Sequence, residues 1–413
     1  MKHCPHFLLH SALLSSVIGL AAFPVAAQEP APPTPVPPAA EPAPPAAAVV
    51  APLAPADPAL APPPAELPPP VEAPKKDLGP LNVGVWGRVD TTLNGADDKL
   101  DDIGSTGVLE LHTSGKLHDY FSFTANFVAE YGGGPDNIAG NAQLMDGILQ
   151  FEPDDLFHLW VGRNLVPVDR SNFSGPWFIG PWFYPLFGFA DGQIGPTVPK
   201  QGPSGRNDGL TAWGFYAADT FSIKYYVGAY DLYDRDTSPL ISGRLNLTLL
   251  GSEPGFYSNS TYSGKDLLAI GAGFQYKKGG SSYAWALPPE ERATAPSGNY
   301  SEFNVDLLFE KKIGDAVLDL EGAYYMFNGD YERTDSAWFA VASVLLGGAW
   351  QPLVRIQQAM PAYEDRDETS TIFDGQLGYV LDGFSTRFAA GFRYAKAGDA
   401  KDNTIFLGAQ FMK

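Results

Sequence analysis

A chain of 413 residues carries 47 Asp and Glu against 27 Lys and Arg, a formal net charge of -20. That balance argues against nucleic acid as a partner, because phosphate binding needs clustered cations. Aromatic residues at 13%, beside 44 Gly and 38 Pro, exclude a wholly disordered chain.

The chain opens MKHCPHFLLHSALLSSVIGLAAFPVAAQEP. A charge at Lys2, an apolar run from Phe7 to Phe23 and small residues at Val25-Ala26-Ala27 predict a secretory signal over residues 1–27, cleaved near Ala27. A transmembrane anchor is the alternative, disfavoured by marginal length and by His10. The single cysteine, Cys4, precedes the apolar run, so the processed chain is expected to hold no thiol. Disulfides, zinc–cysteine sites and cysteine catalysis are then excluded. Residues 28–77 are almost wholly Pro, Ala, Val and Glu. They predict a disordered, extended linker that reaches roughly 100 Å or more at about 3.1 Å per residue. It is either a passive spacer or a tether touching peptidoglycan.

From residue 78 to 413 no helical period and no apolar run of membrane-spanning length appears. Alternating segments recur instead, from LNVGVWGRVDTTL and GVLELHTSG through AWFAVASVLL and AWQPLVRIQQ to TIFLGAQF. They number about sixteen, with the period of two that places successive side chains on opposite faces, blurred in AWFAVASVLL and AWQPLVRIQQ, where Pro352 intrudes. In FSTRFAAGFRYAK, one face reads Phe384, Thr386, Phe388, Ala390, Phe392, Tyr394, and the other carries Arg387 and Arg393. A soluble sandwich would turn the aromatic face to a core; a membrane barrel would turn it to lipid and the arginines to a wet lumen. The links decide. Short ones such as GKLHD, EPDD, AADT and LDG alternate with long ones such as NGADDKLDDIGST and AMPAYEDRDETST. An inserted barrel has short turns on one rim and long loops on the other, whereas a sandwich has no reason for such parity. The exception is the long link from Gly251 to Lys265 on the short side. The expected fold is an all-β transmembrane antiparallel barrel of about sixteen strands, embedded in outer-membrane lipid. Phe384 with Tyr394, and Phe121 with Tyr131, lie ten residues apart, the spacing of two aromatic girdles.

The third long loop, from Asn164 to Asn207, is crowded with aromatics that include Phe173, Trp177, Phe178, Trp182, Phe183 and Tyr184. Exposed, such a patch is a liability. The loop is therefore expected to fold into the lumen as a constriction, with packing at a subunit interface as the alternative. Arg163, Arg170, Lys200 and Arg206 at its base would either touch passing anions or anchor the loop to carboxylates.

Residues 162–214 resemble the phosphate-selective porin O and P family: Gly162, Arg163 and Pro167, with Arg170 just after, then Arg206, Gly209, Leu210 and Gly214. Asn207 stands where that family usually has an acid, with Asp208 beside it, and the stretch from Glu253 to Tyr276 is also similar. The resemblance implies a homotrimeric sixteen-strand porin and a preference for anions or phosphate. The alternation predicts Arg88, Lys224, Arg244, Arg355, Arg387 and Arg393 inside, together with Asp90, Glu110, Glu130, Asp306, Glu310, Asp319, Glu321 and Asp374. A basic wall of Arg88, Arg387 and Arg393, opposite acids near residues 304–321, would set a field across the pore. Ordinary charges paired to neighbours are the alternative.

The expected function is a water-filled channel for passive diffusion of ions and small hydrophilic solutes. A structural anchor tied towards the cell wall is the alternative. Catalysis is not expected, since only His112, His118 and His158 remain after the signal and none has a nucleophile motif around it. No cofactor or metal site is expected; Asp-rich loops such as GADDKLDD lack EF-hand spacing.

Overall fold

The computed structural model describes residues 81–96, 100, 102–133, 139–185, 205–231, 238–258, 265–282, 297–329, 334–362 and 368–413. The expected signal, the linker at 28–77 and Lys200 lie outside the described residues. Sixteen strands and one short helix are described. In chain order they are β1 Asn82–Ala96, β2 Asp102–His118, β3 Phe121–Gly133, β4 Ala139–Asp154, β5 Phe157–Leu165, α1 Arg170–Ser174, β6 Arg206–Ala217, β7 Ser222–Tyr230 and β8 Leu240–Leu250. There follow β9 Leu267–Ser282, β10 Ser297–Ile313, β11 Ala316–Gly329, β12 Thr334–Leu346, β13 Trp350–Pro361, β14 Ser370–Asp382, β15 Thr386–Ala397 and β16 Ala400–Met412.

Each strand pairs antiparallel with its neighbours in sequence, and β16 returns to β1, so the sheet closes and leaves no edge. Closure follows from the medium: in hydrocarbon an unpaired backbone N–H or C=O has no water to bond. At the seam Gly87 faces Phe411, whose ring fills the place a side chain would take, and Val85 and Lys413 bond through their backbones. The termini of the barrel thus share the rim of tight turns. At that rim β10 and β11 are joined by Gly314-Asp315 alone. Gly314 adopts φ +63°, a left-handed conformation that costs a residue with a Cβ but not glycine. The opposite rim carries most of the longer links, but β15 and β16 are joined there by only Gly398-Asp399 and β11 and β12 by residues 330–333, while the long link of residues 251–266 between β8 and β9 lies on the short-turn rim.

The alternation sorts the faces as expected. On β15, Phe388 and Phe392 are exposed while Arg387 and Arg393 are buried. On β16, Ile405, Leu407 and Phe411 face out while Phe406 and Gln410 face in. Leu407 is 64% exposed, which a protein in water could not repeat around its whole girth. Pro352 sits outward on β13; the ladder to β14 runs through it, whereas the ladder to β12 skips Gln351 and Pro352 and resumes at Trp350. Phe384 departs from expectation. It lies in the turn after Gly383, at φ +51°, and that reversal ends the alternation. Its ring packs at 5.8 Å from Phe178 and near Arg387, in contact with the third long loop rather than in the lipid girdle beside Phe388.

Candidate constriction in the barrel lumen

The third long loop leaves β5 and enters the lumen, where residues 166–185 form a strap across it. The strap begins by adding a turn of helix. Asp169 caps α1, accepting hydrogen bonds from Ser171 N and Asn172 N at 3.2 and 3.1 Å. Its other oxygen partner is the Tyr325 hydroxyl on β11. Burial pushes the Asp169 carboxyl up, and the Tyr325 bond opposes that only in part. Arg244 on β8 holds the Val168 carbonyl at 2.9 Å and makes a two-pronged pair with Asp306 on β10, while Ser242 donates to the Pro167 carbonyl. This end of the strap is tied to β8, β10 and β11.

The other end reaches the opposite wall. Arg88 on β1 donates to the Pro176 carbonyl at 2.6 Å and stacks 3.9 Å from the Trp182 ring centre. Arg387 on β15 donates to the carbonyls of Ile179 and Gly180. Trp177 donates to Glu110 on β2 at 2.7 Å, and Trp182 N donates to Gln376 on β14. The Trp182 indole lies against Gly408, where any Cβ would overlap it, and packs with Phe406 and Ala389. Arg355 binds the Phe183 carbonyl, and Arg393 sits over the Phe183 ring at 4.1 Å. The aromatics of the loop therefore fill the inside of the barrel. The hydrophobic effect drives them there, and charge-assisted bonds to otherwise orphaned carbonyls fix their position.

A second segment meets the strap from the short-turn rim. The exceptional link after β8 turns inward, burying Glu253, Phe256 and Ser258. Phe256 stacks on Trp160 at 4.1 Å and packs with Phe173, Trp213 and Tyr226. Glu253 receives both terminal nitrogens of Arg170 at 2.7 Å, and Ser174 donates to the Ser258 carbonyl. Lys224 donates to the Gly255 and Tyr257 carbonyls and meets the Ser258 hydroxyl at 2.8 Å. Burial favours the uncharged forms of Glu253 and Arg170, but their mutual attraction outweighs it. The Glu253 carboxyl is held down to about 2.

The residues singled out in the sequence thus fall into distinct settings. Arg170, Arg244 and Arg206 are in buried ion pairs, the last with Asp146 at 3.1 Å. Arg355 and Arg393 share Asp374. Glu310 stands opposite Asp319 across β10 and β11, one step from Glu321. Arg88 and Arg387 face Gln410 from either side, one row across three strands, whereas Arg393 faces Thr404 further along. The wall of three arginines resolves into a pair on Trp182 and a third on Phe183. Arg163 is a correction. It follows Trp160 and Val161 in alternation, so it lands on the outward face with Val161, where it pairs with Asp208 through bonds of 2.9 and 2.7 Å. It does not line the lumen.

Not all of the lumen is filled. Along β1 to β3 the inward residues Asp90, Thr92, Asn94 and Glu130 are half-exposed and Thr106 is exposed. A cavity of about 180 Å³ lies here between the wall and the strap, lined by Arg88, Asp90, Thr106, Val108, Trp177, Trp182 and Phe183, among others. Glu253, Phe256, Gln376 and Gln410 also hold the strap and the inward link and were not among the residues expected from the sequence. The long link on the wrong rim was the signal for the first two, and inward glutamines among apolar neighbours for the others.

No protein-family model matches the chain, and no curated protein matches it in sequence. Solved structures do share its shape. An anion-selective porin from Comamonas acidovorans aligns with a TM-score of 0.51 at 14% identity, over 81% of this chain and all of the other. OprB of Pseudomonas putida gives 0.51 at 10% identity, over 81% and 94%. OmpT of Vibrio cholerae lacking loop L8, an outer membrane protein, gives 0.51 at 15% identity, over 81% and 99%. At such identities the likeness is one of fold: the closed sixteen-strand barrel of outer-membrane porins.

Proposed function

We propose that this protein is an outer-membrane channel through which ions and small hydrophilic solutes diffuse passively, assembled as a homotrimer. The observation that carries the reading is the sorting of faces: an apolar outer wall around a lumen of charged side chains, crossed by an inward strap that leaves the β1–β3 side open. A soluble β-protein would bury one face dry and wet the other. Here the wet face is the enclosed one. The strap is the constriction, and Arg88, Asp90, Thr106 and Glu130 border the path.

An anion or phosphate preference, which the family resemblance implies, rests on few groups. A ladder for anions needs cations free to replace water around the solute. Arg170, Arg206, Arg244, Arg355 and Arg393 are instead bound to carboxylates. Arg88 and Arg387, held by carbonyls and the Trp182 ring, supply the positive potential that remains near the path. Modest selectivity is the corresponding expectation.

The density of the strap favours a second reading, an anchor with little transport. Planar bilayers separate the two. Purified protein gives discrete ohmic current steps if it is a channel, and deletion of residues 176–185 raises the step size. A protein that inserts and never conducts, before or after that deletion, is the anchor.

A further inference from the structure

The cavity between β1, β2 and the strap is bordered by polar groups that the protein does not use for itself. Arg88 gives one terminal nitrogen to the Pro176 carbonyl at 2.6 Å and lies over the Trp182 ring. Its Nε–Nη2 edge meets no acceptor among the described residues. That edge is the fork through which a guanidinium receives a carboxylate in two parallel bonds. Five other arginines of the lumen are paired with carboxylates of the chain; Arg88 is not. Trp182, which also lines the cavity, buries its indole N–H without an acceptor among the described residues. Buried polar groups are nearly always satisfied, so two unused donors beside one cavity point to the oxygens of a ligand.

An unused acid stands next to them. Asp90 is two residues along β1 on the same face, half-exposed, and makes no hydrogen bond or ion pair with a described residue. Thr106 lies directly opposite it on β2, exposed, with no bond from its hydroxyl to a described residue. On its other side Asp90 faces Gly408, the residue that the Trp182 indole covers. By the rise of a strand, the Cα atoms of Arg88 and Asp90 are about 7 Å apart. Much of the remaining lining is apolar or aromatic, from Val108, Trp177, Phe183 and Tyr184. A few placed polar groups on an otherwise apolar concave surface are the usual make-up of a small-molecule site.

The charges select the solute. A bare carboxylate or phosphate on Arg88 would be repelled by Asp90, and a bare amine on Asp90 would be repelled by Arg88. A neutral sugar would take water from both charges and replace neither interaction. The cavity's 180 Å³ is the volume of about six waters, so the solute is small. We infer that this cavity is a binding subsite for a small apolar α-amino acid on its way through the barrel. The carboxylate takes the Arg88 fork, the ammonium lies between Asp90 and the Thr106 hydroxyl, and the side chain rests on the aromatic rings. Passage requires release, so binding is weak, on the order of millimolar. The inference rests on the channel reading and deepens it by naming a class of solute.

The test titrates the folded full-length protein in detergent by calorimetry with leucine, with isocaproate, which lacks the ammonium, and with isoamylamine, which lacks the carboxylate. Leucine is expected to bind about tenfold or more tighter than either. Asp90→Asn should bring leucine and isocaproate to equal affinity, and Arg88→Gln should do the same for leucine and isoamylamine. Arg88 also holds the strap, so Asp90→Asn, which breaks no bond of the protein, is the decisive variant. Isocaproate binding as tightly as leucine makes this a plain anion site and overturns the inference. So does a leucine preference that survives Asp90→Asn, or a wild type that binds none of the three. In planar bilayers, leucine should lower the mean current of wild type and leave that of Asp90→Asn unaffected by its addition. A wild type that conducts without binding leucine sinks the subsite and leaves the channel standing. Binding with the expected preference in a protein that never conducts supports the subsite and sinks the channel.

Discussion

Glu253 and Arg170 show what a buried ion pair does inside a barrel. Each was taken from water, and each is tolerable only because the other is 2.7 Å away. Replacing Glu253 by Gln leaves the guanidinium with a neutral partner and is expected to cost about 3–5 kcal/mol, read by denaturant unfolding in detergent. The pair also makes a pH prediction. The folded Glu253 sits at about 2, below its ordinary 4.5. Its stabilisation is therefore complete above the unfolded value and is lost as pH falls from about 5 towards 2; the difference corresponds to about 3 kcal/mol. The Glu253→Gln variant should show less acid sensitivity than wild type over that window. Equal sensitivity would mean that other carboxylates dominate.

At the scale of elements, the strap and the inward link after β8 support each other. The strap alone would hang from β5 and β6. With Phe256 packed under Phe173 and Trp160, it has a floor. Truncating a buried aromatic costs about 3–5 kcal/mol when the site cannot collapse, and a rigid barrel wall collapses little. Phe256→Ala should therefore loosen the strap before it unfolds the barrel. Bilayer recordings are expected to show noisier and larger current steps, with gel mobility of the folded barrel unchanged. Quiet steps of wild-type size would show that the strap stands without its floor.

Across the whole molecule, closure dominates. Each strand borrows its hydrogen bonds from two neighbours, so the barrel is expected to unfold as one unit and to show a compact form on gels that heating alone converts. Net charge is a poor guide to the pore, since -20 is summed over the whole chain while Arg170, Arg206, Arg244, Arg355 and Arg393 in the lumen are each paired with a carboxylate. Removing Arg387 and Arg393 together, each to Ala, should shift the reversal potential in a salt gradient towards cations. Loss of Arg393 leaves Arg355 and Asp374 as a neutral pair where two arginines had shared one carboxylate. A reversal potential that does not move would separate these residues from the ion path.

The periodicity of two and the parity of link lengths make the barrel legible in the sequence, because both are local consequences of a wall with lipid outside and water inside. The faces of Arg387, Asp306 and Leu407 were legible for the same reason. The inward strap was readable from its excess of aromatics, since so much apolar surface has to be covered. Tertiary structure alone decided what the charges meet. Arg170 finds Glu253 across 83 positions and Arg387 finds Gly180 across 207, distances over which no sequence pattern specifies a partner. It also decided Arg163, whose motif points to the lumen while the alternation after Val161 turns it to the outside. A face is set by the backbone, residue by residue; a partner is set by closure, which brings remote strands together only once the sheet has curled.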